Sequence, residues 1–440
     1  MIFHFGYRPD HVLIRRASLR LATPHFLAFI ALMAIFVAPA NAERDIPLTI
    51  AEVEDLALAA EPGQLAMQAR AAAYGERAII AGDLPDPTLR IGLNNYPIQS
   101  GGFTTEGMTS AGLMYRQTFP AGKTRSIGTT QFEFLAREAN QNAEARGRNV
   151  LMAARNAWLE GYFWGQSHEL IVEARPFFDD LATITRSLYA VGRKNQQDVL
   201  RAELELSRID DRLIEIERQQ SRARAALGEW VGAEASRPIA AVLPAWASVP
   251  PPGTLRDSLS AHPTLMAADA QISAREAGVD LADERSKSQW ALDVAYSYRD
   301  GSLPNGDPRS DFVTVGVTVG LPFFSKKSVD STLSAALQER SAAQSTKVQV
   351  ERELQSRLES EIARWQDLSR RIALYEERIL GQTRDHAQAA LLAYQSDRSD
   401  FADVMRGYID DLNTRIDFIR LQVERAQSYA VLANLGGFPR

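Results

Sequence analysis

The sequence predicts an α+β protein in which long antiparallel coiled-coil helices carry four β-strands, and an internal duplication places two of these strands in each half of the chain. Three observations predict it. Apolar residues recur at helical spacing over roughly 60 residues in each half, four short segments alternate apolar with small or polar residues, and these signals return in the same order after about 200 residues. With 45% hydrophobic and 24% charged residues, the chain is expected to be neither disordered nor a helical membrane protein.

The N-terminus has the pattern of an export signal. Arg15, Arg16 and Arg20 precede the apolar run FLAFIALMAIFVA, and the tripeptide 40–42 (ANA) fits a small-residue cleavage site. We therefore expect residues 1–42 to be a signal peptide, with an uncleaved membrane anchor as the alternative. After this segment, no stretch approaches the roughly 20 apolar residues of a membrane-spanning helix.

Composition excludes several classes of interaction. The sequence contains no cysteine, so no disulfide bond is expected, and no lipid can be attached to a cysteine at the cleavage site. The formal net charge of −6 argues against nucleic acid as a partner, because nucleic-acid binding surfaces are basic.

The repeat predicts two structural units, residues 43–250 and 251–440, each with a helix, a β-hairpin and a long helical pair. The segment EPGQLAMQARAA from Glu61 resembles HPTLMAADAQIS from His262, and TLRIGLNNYP from Thr88 resembles WALDVAYSYR from Trp290. The alternative, chance similarity between alanine-rich helices, does not explain why turn, strand and helix signals recur in one order.

The first helix of the first unit is predicted from Pro62 to Gly82, because the following LPDP removes backbone donors and cannot continue a helix. Strand segments of about 9 to 11 residues follow, the length of a tilted transmembrane strand. In the last of them, Val315 and Val317 alternate with Thr314, Gly316 and Thr318. Strands of soluble sandwiches look similar, but the small residues opposite the valines favour a membrane strand, because a lumen or a tight interior favours small residues.

The long helices are predicted to pair as rods of roughly 100 Å. Apolar residues spaced by threes, fours and sevens form the seam of the second rod: Leu358, Ile362, Trp365, Ile372, Tyr375 and Ile379 on its first helix, with Met405, Tyr408, Leu412, Ile419, Val423 and Ala426 on the return helix. Pro176 lies inside the first rod, where it is expected to kink the helix or mark a change of register.

The far tip of each rod is marked by a repeated phrase. LYAVGRKNQQDVLRAELEL contains Tyr189, Gly192, Arg193, Asp198 and Leu200, and AYQSDRSDFADVMRGYIDD contains Tyr394, Asp397, Arg398, Asp403 and Met405. The residue at position 192, or 397 in the second copy, is expected to take the left-handed conformation that ends the descending helix. The aspartates at 198 and 403 are expected in the first turn of the return helix, where a negative charge suits the helix dipole.

Together these features resemble the outer-membrane efflux family typified by TolC, over essentially the whole chain after the signal segment. The tip phrase Tyr–x–x–Gly–x5–Asp–Val–Leu is matched in the first copy, whereas the second copy has Asp397 for glycine and Met405 for leucine. Residues 85–97 (PDPTLRIGLNNYP) and 107–125 (GMTSAGLMYRQTFPAGKTR) resemble the heavy-metal branch of the family, which is CusC- and CzcC-like.

This resemblance implies an α+β membrane protein that assembles as a homotrimer. Four strands from each protomer would form a twelve-stranded outer-membrane β-barrel in contact with outer-membrane lipid, and the helices would form a periplasmic α-barrel. It implies the outer membrane of a Gram-negative bacterium, with a long periplasmic extension. Its expected partners are a periplasmic membrane-fusion adaptor protein and an inner-membrane efflux pump of the resistance–nodulation–division type.

The resemblance also assigns a gate to the rod tips. In the family, a network between the two helix pairs shuts the periplasmic end, and its members fall on Asp198, Tyr394 and Asp403. The arginine of the family is expected at Ser399, with Arg398 beside it, and an acid expected three residues after Asp403 is replaced by Arg406. Helix-start residues without a gating role are the alternative reading of the two aspartates.

No enzyme is expected. The three histidines after the signal segment, His168, His262 and His386, have no metal-ligand spacing, and no phosphate loop, nucleophile signature or zinc-protease motif occurs. We therefore predict no catalytic, cofactor-binding or metal site, and no cofactor. The expected function is the exit duct of a tripartite efflux system, with heavy-metal cations as cargo. A channel for drugs or for type I protein secretion is the close alternative, and a periplasmic coiled-coil adaptor or scaffold is the alternative from another class.

Overall fold

The computed structural model of the protein describes residues 46–59, 61–193, 195–321, 326–396 and 398–438. The predicted signal peptide and Asp397 lie outside the described residues, so the expectations for both stay predictions.

The elements follow one another in the predicted order. The helices of the described residues are α1 (Ile50–Ala59), α2 (Pro62–Gly82), α3 (Thr124–Ala190), α4 (Gln196–Val231), α5 (Pro252–Ser258), α6 (Pro263–Glu284), α7 (Lys326–Leu374), α8 (Leu380–Gln395) and α9 (Phe401–Gly436). The strands are β1 (Thr88–Asn94), β2 (Ser110–Phe119), β3 (Trp290–Tyr298) and β4 (Phe312–Val319). No helix within the described ranges has the length and apolar character needed to cross a membrane.

The four strands of the described chain form one antiparallel sheet in the order β1-β2-β3-β4. Each predicted hairpin is present, and the two hairpins are joined through the pairing of β2 with β3. The outer strands are shorter than expected, with seven residues in β1 and eight in β4. Pro87 directly precedes β1, and Asn95 ends it with a left-handed φ of 52°.

The first rod consists of α3, a helix of 67 residues, and the antiparallel α4. Across the pair, Arg175 contacts Asp210 at 2.7 Å and Arg186 contacts Glu203 at 2.8 Å, which shows that the two helices run in opposite directions from a common tip. Both ion pairs are solvent-exposed and stabilise little. The stability comes from the buried apolar seam between the helices.

The second rod is formed by α7 and α8 on one side and α9 on the other. Eight of the twelve predicted seam residues are buried: Leu358, Ile362, Trp365 and Ile372 on the first side, with Met405, Leu412, Val423 and Ala426 on the return helix. The other four, Tyr375, Ile379, Tyr408 and Ile419, are half-buried. The two rods share a core, because Val404, Met405 and Leu412 of α9 belong to the same buried cluster as residues of α3 and α4.

Each rod contains one irregularity near the same level. Helix α3 continues through Pro176, which therefore does not end it. The tip phrases are separated by 394 − 189 = 205 residues, so position 381 corresponds to Pro176, and the π-helical turn Tyr375–Ile379 lies just before it. Proline removes one backbone hydrogen bond and a π-turn rearranges several, so both weaken the helix at this level.

The root of the first rod is fixed to α1 by buried polar contacts. Arg155 of α3 contacts Glu54 of α1 at 2.6 Å, with side chains that are 5% and 4% exposed. The indole Nε1 of Trp158 donates to the carbonyl of Leu48 at 2.8 Å, and Leu48 itself forms a parallel bridge with Ile239. These contacts hold the segment before α1 and the segment after α4 together.

Candidate functional site

The sheet has one apolar face, and this face is exposed. The register aligns Ile91, Leu113, Tyr296 and Val313 in one row across all four strands. The next row consists of Leu89, Tyr115, Val294 and Val315. Ile91 is 78% exposed and Val315 is 67% exposed. A continuous apolar patch of this kind is unusual on a soluble monomer and marks a surface that something else covers.

Most residues on the opposite face of the same sheet are polar or small. The row Thr88, Arg116, Asp293 and Gly316 lies beside the row Arg90, Met114, Ala295 and Thr314. Val315 and Val317 thus lie on the opposite face from Thr314 and Thr318, as the alternation predicts. The sheet can therefore separate an apolar phase from water.

Arg116 and Asp293 join β2 to β3 on this polar face. The guanidinium donates from Nε to Oδ1 at 2.5 Å and from Nη2 to Oδ2 at 3.1 Å, and the hydroxyl of Thr318 donates to Oδ2 at 2.7 Å. No local sequence pattern marks this pair. The two residues are 177 positions apart, and only the pairing of the hairpins brings them together.

Aromatic rings lie at both ends of the sheet. Phe119 and Trp290 stack at a centroid distance of 4.1 Å where the strands meet the helices, and Phe103 stacks on Tyr298 at 6.2 Å beside the hairpin loops. Trp290 and Tyr298, whose rings carry one polar group each, suit the boundary between hydrocarbon and water.

The junction between sheet and helices is held by Glu284, the last residue of α6. Its carboxylate contacts the ammonium of Lys287 at 2.5 Å and accepts from the backbone N–H of Lys123, before α3, at 2.8 Å. These hydrogen bonds lower the pKa of Glu284, with Lys287 as the larger cause. The carboxylate approaches Gly122 so closely that a Cβ there would collide with it, and Gly122 has a left-handed φ of 48°. The start of the first rod is thus anchored to the end of α6.

The first rod tip has the predicted geometry. Gly192 has a φ of 74°, its N–H donates to the carbonyl of Tyr189 at 2.9 Å, and the N–H of Arg193 donates to Leu188 at 2.9 Å. Asp198 lies in the first turn of α4, as expected. Tyr189 and Leu200 are both exposed. The tip therefore presents side chains that the fold of one chain does not bury.

At the second tip the structure brings together residues that the sequence did not predict to meet. Asp403 lies in the first turn of α9, accepts from the hydroxyl of Ser399 at 3.0 Å and contacts Arg406 at 3.6 Å. Tyr394 is 7% exposed and meets the ring of Phe401 edge-on at 5.8 Å, while Arg398 is exposed. Arg406, at the position where the resemblance led us to expect an acid, thus forms an exposed ion pair with Asp403.

The histidines of the described residues form no metal-binding group. His262 is buried and its Nδ1 accepts from the N–H of Thr264 at 3.2 Å, so this residue caps α6. Burial lowers the pKa of His262 to about 4, and the charges of Arg148 and Arg357 are smaller causes in the same direction. Within the described ranges, no group of three or more His, Cys, Asp and Glu could hold a metal ion.

Residues 254–437 match the model of a family described as outer membrane efflux protein. This match confirms the predicted resemblance to the outer-membrane efflux family, and it does not distinguish the heavy-metal branch from the others. No curated protein matches the chain by sequence.

The fold is similar to several solved structures. The outer membrane protein VceC of Vibrio cholerae has a TM-score of 0.74 at 16% identity, covering 88% of this chain and 96% of that one. The Campylobacter jejuni outer membrane channel CmeC has a TM-score of 0.75 at 12% identity, covering 88% and 85%. CusC has a TM-score of 0.70 at 15% identity, covering 90% and 95%. The descriptions of the family and of CmeC as efflux and channel proteins agree with the prediction that the chain is not an enzyme.

Proposed function

We propose that this chain, a relative of the outer membrane efflux proteins, is a subunit of an outer-membrane channel that forms the exit duct of a tripartite efflux system. One observation carries the proposal: a sheet with one exposed apolar face and one polar face is joined to two long, paired helical rods. Such a sheet fits a bilayer on one side and a water-filled pore on the other. Rods of roughly 100 Å fit a duct that reaches across the periplasm.

The strand edges support a closed trimer. Because β2 pairs with β3 inside the chain, the described sheet leaves one free edge on β1 and one on β4. Unpaired backbone groups are too costly in lipid, so these edges require partners. Three copies, each pairing β1 with β4 of the next, would close a ring of twelve strands without free edges.

The two-unit plan supports a continuous duct below the ring. We propose that residues 43–250 and 251–440 are duplicated units, each supplying one hairpin and one rod. In a trimer the rods would surround a tunnel whose lower end carries the two kinds of tip. Exposed Tyr189, Leu200 and Arg398 make the tips suitable for the adaptor protein and pump that the proposed system requires. We propose Asp198, Tyr394 and Asp403, with Arg398, as gate residues at this end.

The cargo is a separate proposal. Residues 85–97 and 107–125 resemble the heavy-metal branch, which supports metal cations. The solved structures quoted above match at 12% to 16% identity, too evenly to favour one cargo. A deletion strain tested against metal salts and against drugs would separate these cargoes, since only the exported class should become more toxic.

Membrane extraction tests the channel against the alternative of a periplasmic adaptor. A protein whose sheet lies in the bilayer should stay in the membrane fraction through high salt and carbonate, and should leave it only with detergent. An adaptor, held at the membrane by polar contacts, would be released by salt alone, and that result would contradict the proposal.

A further inference from the structure

The polar face of the sheet carries charged residues that would line the proposed pore. The strands carry three charged residues: Arg90 on β1, Arg116 on β2 and Asp293 on β3. The register places all three on the polar face. Strand β4 has no charged residue. Each chain therefore contributes two positive charges and one negative charge to this face.

Asp293 is fully engaged by its neighbours. It receives two hydrogen bonds from Arg116 and one from the hydroxyl of Thr318. The bidentate pair is a strong arrangement and fixes the two side chains relative to each other on the polar face of the sheet. Arg116 and Asp293 together add no net charge to the polar face.

Arg90, in contrast to Arg116, has no acidic partner among the described residues. Its side chain is exposed, and it makes no ion pair within the part of the chain that the structure describes. Its partner residue across the β1–β2 pairing is Met114, which is neutral. In the proposed ring, β1 would lie beside β4 of the next chain, and that strand brings no acid.

The acid nearest to β4 is also engaged. Asp311 precedes the first residue of β4 at the loop end of the sheet, accepts from the hydroxyl of Tyr296 and accepts from the N–H of Arg299 at 2.9 Å. Within one chain, Arg90 shares a row of the sheet with Thr314, which lies nearer the middle of the sheet than Asp311 does. The neighbouring chain thus offers Arg90 no free carboxylate in its strands.

We propose that the three Arg90 side chains form a ring of uncompensated positive charge that makes the pore prefer anions. This rests on the proposed function, since only a ring of chains turns the polar face into a pore lining. Rings of arginine or lysine favour anions, as rings of aspartate or glutamate favour cations. The low-dielectric wall of the pore strengthens the field of the ring. The inference points to anionic or neutral cargo and runs against the metal cations that the sequence resemblance favours.

Reversal potentials in planar bilayers test this inference. The full-length protein is inserted, a KCl gradient is applied at low ionic strength, and the ratio of chloride to potassium permeability is measured. The native channel should favour chloride. Arg90→Glu should lower the ratio by about twofold or more, whereas Arg90→Lys, which keeps the charge, should leave it unchanged. Asp293→Asn, which frees the charge of Arg116, should raise it.

The variants provide their own controls. Arg90→Gln removes the charge without adding a negative one, so it gives the answer even if Arg90→Glu does not assemble. Raising the salt concentration should shrink all the differences, because the charges become screened. A native channel that favours potassium would overturn the inference, and so would a permeability ratio that does not change when Arg90 is substituted. Neither result would contradict the proposed function as a channel. A protein that forms no pores overturns the proposed function and this inference with it.

Discussion

Arg116 on β2 and Asp293 on β3 form a two-bond ion pair across the strands that join the two halves of the chain, with Nε–Oδ1 and Nη2–Oδ2 distances of 2.5 and 3.1 Å. The pair shows that the two hairpins belong to one sheet inside one protomer. It also defines the polar face of that sheet, since Val294 and Tyr115, the sequence neighbours of these residues, point to the exposed apolar face. The faces of the sheet can therefore be tested by substitution.

Charged substitutions should act differently on the two faces. Val315→Arg places a guanidinium on the apolar face, which costs about 2–4 kcal/mol near the middle of a bilayer. We expect this variant to be depleted from the membrane fraction. Thr314→Arg, one residue away on the polar face, should assemble at nearly the native level. Equal depletion of both variants would contradict the assignment of the faces.

The local parts of this fold are readable from the sequence because periodicity and turn residues act over a few positions. The helix Pro62–Gly82 begins and ends where proline and LPDP predict, and Gly192 adopts the left-handed conformation that its place in the tip phrase predicts. The alternation of valine with threonine and glycine likewise separates the two faces of β4.

Contacts between distant segments could not be read in this way. Glu54 and Arg155 are 101 positions apart, and no local pattern marks them as partners. The π-helical turn Tyr375–Ile379 lies inside a regular seam, whose spacing does not reveal one extra residue. At the second tip, Arg406 contacts Asp403 within one helical turn. The resemblance predicted an acid at position 406, so it did not predict this ion pair.

The buried pair of Glu54 and Arg155 should contribute to stability through mutual compensation. Arg155→Met leaves the carboxylate buried without its guanidinium partner, so we expect a loss of about 3–5 kcal/mol in the free energy of unfolding. The double variant Glu54→Leu with Arg155→Met should recover most of this loss, because it buries no charge. Denaturant unfolding in detergent measures both, and a double variant as unstable as the single one would contradict this account.

His262 should make the protein sensitive to acid. The pKa of His262 is lowered to about 4 in the folded protein and is about 6.5 in an unfolded chain, so the unfolded state binds more protons between these values. The contribution of neutral His262 to the free energy of unfolding is fully present above pH 6.5. It is lost as the pH drops towards 4, by on the order of 3 kcal/mol. Protonation of Nδ1 also removes the acceptor for the N–H of Thr264 at the start of α6.

The matched variant for this acid effect is His262→Asn, which keeps a capping acceptor but does not titrate. Its melting temperature should depend less on pH between 6.5 and 4 than that of the native protein. The charges around this site, Arg148, Arg357 and Glu144, are unchanged in the variant and serve as the background. Identical pH profiles for the two proteins would contradict the role of His262.

The rod tips should control the conductance if they form a gate. Asp198→Ala combined with Tyr394→Phe should raise the single-channel conductance and leave the trimer intact. If the aspartate only starts its helix, the same change should lower stability by about 1 kcal/mol or less and leave the conductance as it was. Arg193→Ala, at the turn of the first tip, is a control for general disturbance of that end.

The central claim is that three copies close a ring through β1 and β4, and disulfide trapping tests it most directly, because the chain has no cysteine of its own. One cysteine is placed on β1 at Leu89 and a second on β4 at Val313, Val315 or Val317 in turn, and the membrane-embedded protein is oxidised. The control carries cysteines at Leu113 and Tyr296, which lie opposite each other within one chain. The account predicts a covalent trimer from one of the β1–β4 pairs and a cross-linked monomer from the control. A control that cross-links while every β1–β4 pair remains monomeric would contradict the account.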